Sequence, residues 1–289
     1  TGLDRSHMPR LVEGSEISGK LKDSLAAKWG MSKVVIIAGG GGDNAASAIG
    51  VGIVNAGDAF VSLGTSGVLF AASNSYQPDP ASAVHTFCHA LPDTWHQMGV
   101  ILAATDAMNW FSRILNSSAE EMTNNLGSLQ APSNTLFLPY LGGERTPHND
   151  AVIRASFINL DHNTDQKKMI RAVIEGVTFA IRDSFDALSS TGTNIERLIA
   201  VGGGAKSEYW VQAIATSLGK PISIPVSGDF GGAFGAARLG MIAHGFNRSD
   251  VAVFPKIEKI IEPVMPLHDD FMSALNSYRA TYKALKSIT

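Results

Sequence analysis

Residues 33–54 read KVVIIAGGGGDNAASAIGVGIV, and this stretch decides the fold. Residues 33–38 form a short apolar run rich in β-branched side chains, which is typical of a buried strand. Four glycines follow, and the small residues of 43–54 have a helical pattern. The order strand, glycine turn and helix predicts an α/β unit in which Asp43 lies where the turn becomes the helix.

The same order recurs further along the chain, at a strand over 197–201, glycines 202–204 and a helix over 207–218. Residues 59–63 and 68–72 are two further strand-like runs, and Gly64-Thr65-Ser66-Gly67 separates them at hairpin spacing. The remaining periodic segments predict strands over 135–140 and 221–224 and helices over 165–190, 231–244 and 271–286. We therefore expect an α/β architecture.

Composition excludes several classes of protein. The chain has 289 residues, of which 45% are hydrophobic and 17% charged, as in ordinary globular domains. A formal net charge of -3 provides no footprint for nucleic acid or anionic lipid, and the most apolar stretch is interrupted by Asp43, Asn44 and glycines. The single cysteine, Cys88, and the absence of a recognisable leader favour a reducing, cytoplasmic setting. We expect no nucleic-acid partner and no membrane partner.

Clusters of glycine between strands and helices suit phosphate binding, because bare backbone amides can approach an anion closely. A P-loop is excluded because Ala205 stands where Gly204-Ala205-Lys206-Ser207 would need a glycine. A dinucleotide fingerprint is nominally present at Gly40, Gly42 and Ala45, but the candidate ribose acid, Asp58, precedes its strand instead of ending it. A dehydrogenase therefore remains only as a weak alternative.

Two roles are open for Asp43. It can be the N-cap of the following helix, or a carboxylate beside a phosphate loop that accepts a proton from an attacking hydroxyl.

Two further groups of polar residues could carry chemistry. His85, Cys88, His89 and His96 lack a second group of ligands at recognised zinc spacing, so we interpret them as core and surface residues. Glu144, Arg145 and His148 follow a predicted strand beside Gly142-Gly143 and belong either to a solvated loop or to the wall of an active site.

Several segments taken together resemble the FGGY family of carbohydrate kinases, most closely its D-xylulose-phosphorylating members. They are GGGDNAA at 40–46, SLGTSG at 62–67, VHTFCHALP at 84–92, FLPYLGGERTP at 137–147 and GGGAKSEYW at 202–210. One departure is the run of four glycines before Asp43, where the family is expected to have three.

The resemblance implies an actin/hexokinase-like (ribonuclease H-like) ATPase domain, with a mixed sheet flanked by helices, and implies that it is the second of two such domains. Residues 1–32 would be a lead-in from an amino-terminal domain missing from this sequence, and residues 33–289 the carboxy-terminal, nucleotide-binding and catalytic-base domain. No Asp-x-Gly-Ser/Thr phosphate motif occurs in the 289 residues; the nearest segment, Asp229-Phe230-Gly231-Gly232, lacks the hydroxyl. The chain alone is therefore expected to transfer no phosphate.

The resemblance further implies ATP-dependent phosphorylation of a sugar, D-xylulose to D-xylulose 5-phosphate, with Mg-ATP as cosubstrate and Asp43 as general base. Asn44 would touch the sugar or orient Asp43. The resemblance assigns ATP binding to two sets of residues: Gly64, Thr65 and Ser66 for the β- and γ-phosphates, and Gly203, Gly204 and Ser207 for the α-phosphate and adenosine.

Two alternatives stay open beside this reading: a non-catalytic, actin-like nucleotide-binding module, and a kinase for ribulose, gluconate or glycerol. The expected partners are ATP, a ketopentose and the missing domain. A homodimer is left open.

Overall fold

The computed structural model describes residues 2–31, 34–226 and 231–288. The chain divides into two compact units. The first comprises Thr1–Asn55, Cys88–Trp95 and Gly228–Pro255, and the second comprises Ala56–Phe87, His96–Ser227 and Lys256–Thr289.

Helices and strands alternate along much of the chain, as an α/β fold requires. The α-helices of the described residues are α1 Asp23–Lys28, α2 Asp43–Gly50, α3 Thr105–Leu115, α4 Ala119–Asn124, α5 Gln166–Ser190, α6 Glu208–Leu218, α7 Gly232–Ala243, α8 Arg248–Val251 and α9 His268–Lys286. Their strands are β1 Ile17–Lys20, β2 Ile36–Ala38, β3 Asp58–Leu63, β4 Gly67–Ser73, β5 His85–Cys88, β6 Trp95–Ile101, β7 Leu136–Leu138, β8 Ser156–Ile158, β9 Arg197–Val201, β10 Ile222–Pro225 and β11 Ile257–Ile261.

The larger sheet has the strand order β11-β10-β9-β3-β4-β6-β5. Strands β10, β9 and β3 run parallel to one another, whereas β11 and β4 are antiparallel to their neighbours β10 and β3. Strand β3 is almost wholly buried, as expected for a continuous apolar run in the middle of a sheet. The predicted mixed sheet is confirmed.

Helix α5 is the central helix of the second unit. Asp165 is its N-cap and accepts a hydrogen bond from the Lys168 amide. Its apolar residues at steps of three and four are mostly buried, namely Ile170, Ile174, Val177, Ile181 and Leu188. Residues between them, such as Val173 and Phe179, are fully buried as well. A helix that is covered on several faces lies inside its domain rather than on the surface.

In the first unit, β1 pairs antiparallel with β2, and helix α2 packs against α7. The two helices approach so closely that a Cβ atom at Gly235 would lie 1.7 Å from the Ala46 carbonyl oxygen. Arg238 of α7 donates hydrogen bonds of 2.9 Å to the carbonyls of both Ile49 and Gly50, at the end of α2. Its guanidinium thus satisfies carbonyl groups that a helix end leaves without partners.

The sequence prediction differs from the structure at several places. Helix α2 ends at Gly50 instead of residue 54, because Gly52 adopts a φ of +72° and lies against the backbone of Val253 and Phe254. Strand β1 and helix α3 were not predicted. Lys33, in the first predicted strand, and Asp229-Phe230 lie outside the described residues.

Every helix in the described part of the chain is too short or too polar to cross a bilayer.

Candidate active site

Two glycine loops meet at one edge of the larger sheet. Strands β3 and β9 are parallel neighbours with Ser62 opposite Val201, so the segments that follow them leave the sheet side by side. Gly202 has a φ of +91°, and a Cβ atom there would lie 2.8 Å from the Leu63 carbonyl oxygen. Only glycine allows this approach. The carboxyl edge of parallel strands is the usual place for ligands in α/β sheets.

The first loop, residues 64–66, connects β3 to β4, and the carbonyl groups of Gly64 and Thr65 point towards the start of helix α3. The Gly64 oxygen accepts hydrogen bonds from the Thr105 amide at 2.9 Å and the Thr105 hydroxyl at 2.8 Å. The Thr65 oxygen accepts from the amides of Ala104 at 2.8 Å and Asp106 at 3.2 Å. The loop therefore caps the amino terminus of α3, which has no side-chain cap.

The amide groups of the same loop are available to a ligand. Within the described part of the chain, the N–H groups of Gly64, Thr65 and Ser66 donate no hydrogen bond, and Thr65 and Ser66 are exposed. Consecutive unpaired amides in a turn form a concave site for an anion. In this loop, the Gly64 and Thr65 carbonyls thus face the protein, and the amides are left for a ligand.

The second loop follows β9 at residues 202–206. The three residues predicted to bind ATP there, Gly203, Gly204 and Ser207, differ in exposure and in contacts. Gly203 is exposed, and a Cβ atom there would meet nothing within 4 Å. Gly204 is buried against Leu63 and Thr105. Ser207 is the N-cap of α6, and its hydroxyl accepts a hydrogen bond from the Trp210 amide at 3.4 Å. Of the three, Gly203 is the one open to a ligand.

Asp43 is the first residue of α2, and the N-cap is Gly42. The N-cap role considered for Asp43 is therefore wrong. Its side chain is exposed, and its Oδ1 atom accepts hydrogen bonds from the Asn44 amide at 2.7 Å and from Asn44 Nδ2 at 3.2 Å. The structure gives Oδ2 no hydrogen bond from any residue that it describes. One carboxylate oxygen is held, and the other is exposed to incoming groups.

The glycine run before Asp43 is fixed by backbone contacts. The amide of Gly39 donates to the Glu16 carbonyl and the amide of Gly40 to the Gly14 carbonyl, both at 2.9 Å. Gly40 has a φ of +80°, a conformation that side chains rarely adopt. The segment just before β1 therefore supports the turn that carries Asp43, a role that the sequence pattern did not reveal.

In the loop after β7, two of the three candidate residues, Glu144 and His148, are buried and half-buried instead of being solvated, and a role in an active-site wall stays a prediction. Glu144 is 2% exposed, and burial raises the pKa of its carboxyl group to about 7. The Nε2 atom of His148 lies 3.2 Å from the Tyr140 hydroxyl, and the imidazole ring stacks on the ring of Tyr282. Burial lowers the pKa of His148 to about 4. Arg145 alone is exposed.

The histidines near Cys88 have structural contacts. The Nε2 atom of His89 lies 3.0 Å from the Ile53 carbonyl oxygen, and its Nδ1 atom accepts the Ala90 amide at 2.8 Å. His96 stacks on Phe70, and burial lowers its pKa to about 4. No group of three or more His, Cys, Asp or Glu residues that could hold a metal ion occurs in the ranges the structure describes.

Asp58, the candidate ribose acid of the dehydrogenase alternative, is 1% exposed and paired with Arg197 at 2.6 Å. It joins the first residues of β3 and β9, at the opposite end of these strands from the glycine loops. Asp58 therefore has a structural role, in an ion pair between the starts of two strands. The dinucleotide fingerprint is left without an acid that could bind a ribose.

Comparison with known proteins identifies the family. The model of the FGGY family of carbohydrate kinases, C-terminal domain, matches residues 59–244, and the model of its N-terminal domain matches residues 1–50. The chain is 43% identical over 263 residues to the xylulose kinase of Escherichia coli strain K12, covering 88% of this chain and 53% of that protein.

Solved structures agree with this result. The crystal structure of a xyloylose kinase from Brucella ovis matches with a TM-score of 0.97 and 54% identity, over 100% of this chain and 60% of that one. A gluconate kinase from Lactobacillus acidophilus matches with a TM-score of 0.87 and 25% identity, over 96% and 57% of the two chains. The chain thus spans somewhat more than half the length of these relatives.

The likeness confirms the predicted actin/hexokinase-like fold. The predicted boundary between residues 32 and 33 stays a prediction; the two family models leave residues 51–58 between them. The loops at 64–66 and 202–206 lie within the span of the C-terminal model, and Asp43 lies within the span of the N-terminal model. The chain belongs to the FGGY family of carbohydrate kinases.

Proposed function

We propose that this chain supplies the nucleotide-binding loops and the catalytic base of an ATP-dependent sugar kinase that converts D-xylulose to D-xylulose 5-phosphate. The observation that carries the proposal is the loop at 64–66: its Gly64 and Thr65 carbonyls accept hydrogen bonds from the start of α3, while the amides of the loop have no partner among the described residues. The name of the Escherichia coli relative supports the choice of sugar.

The amides of Gly64, Thr65 and Ser66 bind the β- and γ-phosphates of ATP in this proposal. Such donors are fixed before the ligand arrives, so they stabilise the charge that develops during phosphoryl transfer without reorganisation. Gly203, with Gly204 and Ser207 behind it, lies along the α-phosphate and adenosine. The open space at Gly203 suits a flat or bulky ligand group.

Asp43 is the proposed general base. Its free oxygen takes the proton of the terminal sugar hydroxyl, the hydroxyl oxygen forms a bond to the γ-phosphorus, and the bond from that phosphorus to the ADP oxygen breaks. Asn44 keeps the other carboxylate oxygen in place through its two hydrogen bonds. Proton transfer of this kind contributes about 10²- to 10⁴-fold to rate.

Magnesium enters this scheme as part of the substrate, Mg-ATP. The residues the structure describes offer no preformed cluster for a divalent cation, and Mg²⁺ in kinases is bound largely through substrate phosphates, water and one or two carboxylates. We therefore assign no residue of this chain as a magnesium ligand.

The decisive test replaces Asp43 by Asn in the complete kinase and follows ADP release with Mg-ATP and D-xylulose. We expect turnover to fall at least about 10²-fold while ATP affinity changes by no more than about threefold, because the base acts on the sugar and not on the nucleotide. Asp23→Asn is the matched control, since Asp23 is also an exposed first residue of a helix in the same unit. Retained turnover in Asp43→Asn would remove Asp43 from its role.

The same assay tests the sugar. D-ribulose, gluconate and glycerol are compared with D-xylulose, and the likeness to a gluconate kinase makes gluconate the alternative with a specific observation behind it. Preference for gluconate would replace the xylulose assignment and keep the reaction. ATP binding without turnover on any sugar would favour the non-catalytic nucleotide module.

A further inference from the structure

We propose that Glu144 is a positioning residue for the loop at 64–66: it fixes the turn that begins α3, and α3 in turn fixes the loop with its amides facing outward. This inference rests on the proposed function of that loop. The connection runs through three segments that are distant in sequence, namely the loop after β7, the turn at residues 102–104 and the hairpin between β3 and β4.

The first step joins Glu144 to the turn. Its Oε1 atom accepts the Leu102 amide at 2.9 Å and the Arg145 amide at 2.8 Å. The surrounding loop is itself anchored to β6, because the Thr146 amide donates to the Val100 carbonyl and the Val100 amide donates to the Thr146 hydroxyl, both at 3.0 Å. The carboxylate therefore has a fixed base from which to hold Leu102.

The second step joins the turn to the hairpin loop. Helix α3 begins three residues after Leu102, at Thr105, and the amides of its N-cap Ala104 and of its first two residues bind the Gly64 and Thr65 carbonyls. The far end of the loop rests on the same turn, since a Cβ atom at Gly67 would lie 2.6 Å from Ile101 Cγ1 and 3.3 Å from Ala104 Cβ. A displacement of this turn would therefore move both ends of the loop.

The third step concerns the chemistry that the position needs. Only Oε1 of Glu144 is used; Oε2 is buried and has no hydrogen-bond partner among the described residues. A glutamine keeps an acceptor at Oε1, whereas alanine leaves two amides without their acceptor. The role is therefore that of a well-placed acceptor, and it predicts that glutamine, but not alanine, substitutes for Glu144.

The experiment measures amide hydrogen exchange over residues 102–106 and ATP affinity by calorimetry in the complete kinase. Glu144→Ala is expected to lose protection in this segment and to bind ATP about tenfold more weakly, the equivalent of roughly one hydrogen bond. Glu144→Gln is expected to remain within about threefold of the parent in affinity. If Glu144→Ala does not fold, Glu144→Asp, which retracts the carboxylate by one methylene, is expected to show the same losses.

Glu175→Ala is the control, because Glu175 is as buried as Glu144, also has an unpartnered second oxygen, and bonds to Arg171 rather than to the turn. The control should leave exchange at 102–106 and ATP affinity unchanged. Unchanged protection and affinity in folded Glu144→Ala, or equal losses in Glu175→Ala, would overturn the inference. Failure of the parent chain to bind ATP would count against the proposed function, and the exchange data would then decide the positioning role by themselves.

Discussion

Gly235 is the position at which the packing of α2 against α7 can be tested most directly. An alanine there would place its Cβ atom 1.7 Å from the Ala46 oxygen, which is half the 3.4 Å at which ordinary contact begins. The same atom would lie 2.6 Å from the Ala46 carbonyl carbon and 2.9 Å from the Gly50 nitrogen. All three neighbours are backbone atoms, so no side chain can rotate away to relieve the overlap.

The expected cost follows from this geometry. Overpacking a core by one methyl group costs about 1–3 kcal/mol, and we place this case at the upper end because the two helices must separate. Their separation would also loosen Ile49 of α2 and Leu239 of α7, which are fully buried in one apolar cluster. The higher helix propensity of alanine returns up to about 1 kcal/mol. We expect a net loss of about 2 kcal/mol in the free energy of unfolding.

The assay is urea denaturation of Gly235→Ala and of Gly240→Ala, its control on the same helix. A Cβ atom at Gly240 would meet nothing within 4 Å, so this variant should gain about 0.5–1 kcal/mol. Because α2 begins with Asp43, Gly235→Ala should also lower turnover in the complete kinase. Equal stabilities for the two variants would refute the close approach of these helices.

Two further predictions concern the loops and the buried carboxylate. Gly203→Ala should leave stability within about 0.5 kcal/mol of the parent, because its Cβ atom enters open space, but should weaken ATP binding measured by calorimetry; unchanged affinity would remove Gly203 from the nucleotide site. For Glu144, burial raises the folded-state pKa from 4.5 to about 7, so the folded state binds the proton more tightly. The resulting stabilisation is present below about pH 4.5 and is lost as the pH rises through about 7. Urea denaturation at pH 5 and pH 8 should therefore show a fall for the parent that exceeds the fall for Glu144→Gln by on the order of 2 kcal/mol; parallel falls would contradict the raised pKa.

The elements with strong periodicity could be predicted from sequence alone. Strand β9 has the predicted bounds, and α5 begins one residue after the start of the predicted helix because Asp165 serves as its N-cap. The hairpin at Gly64–Gly67 and the strand-glycine-helix order around Gly202 followed from glycine spacing. These features could be predicted because turn residues and helix caps act within a few residues of the structure that they determine.

The remaining features depend on partners distant in sequence. Helix α3 was missed although it organises the candidate phosphate loop, because its amino terminus is capped by the carbonyls of Gly64 and Thr65 and not by a side chain. Nothing near Glu144 indicates that it will be buried and bonded to Leu102, 42 residues away. Asp43 could be selected from the sequence as a candidate base. The coordinates were needed to show that Gly42 is the N-cap of α2 and that Asn44 holds one of the carboxylate oxygens of Asp43.

The orientation of the carbonyl and amide groups in the loop at 64–66 also affects which ions the loop can bind. A carbonyl oxygen has two lone pairs, and the oxygens of Gly64 and Thr65 each already accept two hydrogen bonds. Neither oxygen has a lone pair left with which to coordinate a cation, while the adjoining amides can only donate. The main chain of these two residues therefore discriminates by the sign of charge: its amides can seat a phosphate oxygen, and its carbonyl oxygens offer no ligand to a bare metal ion.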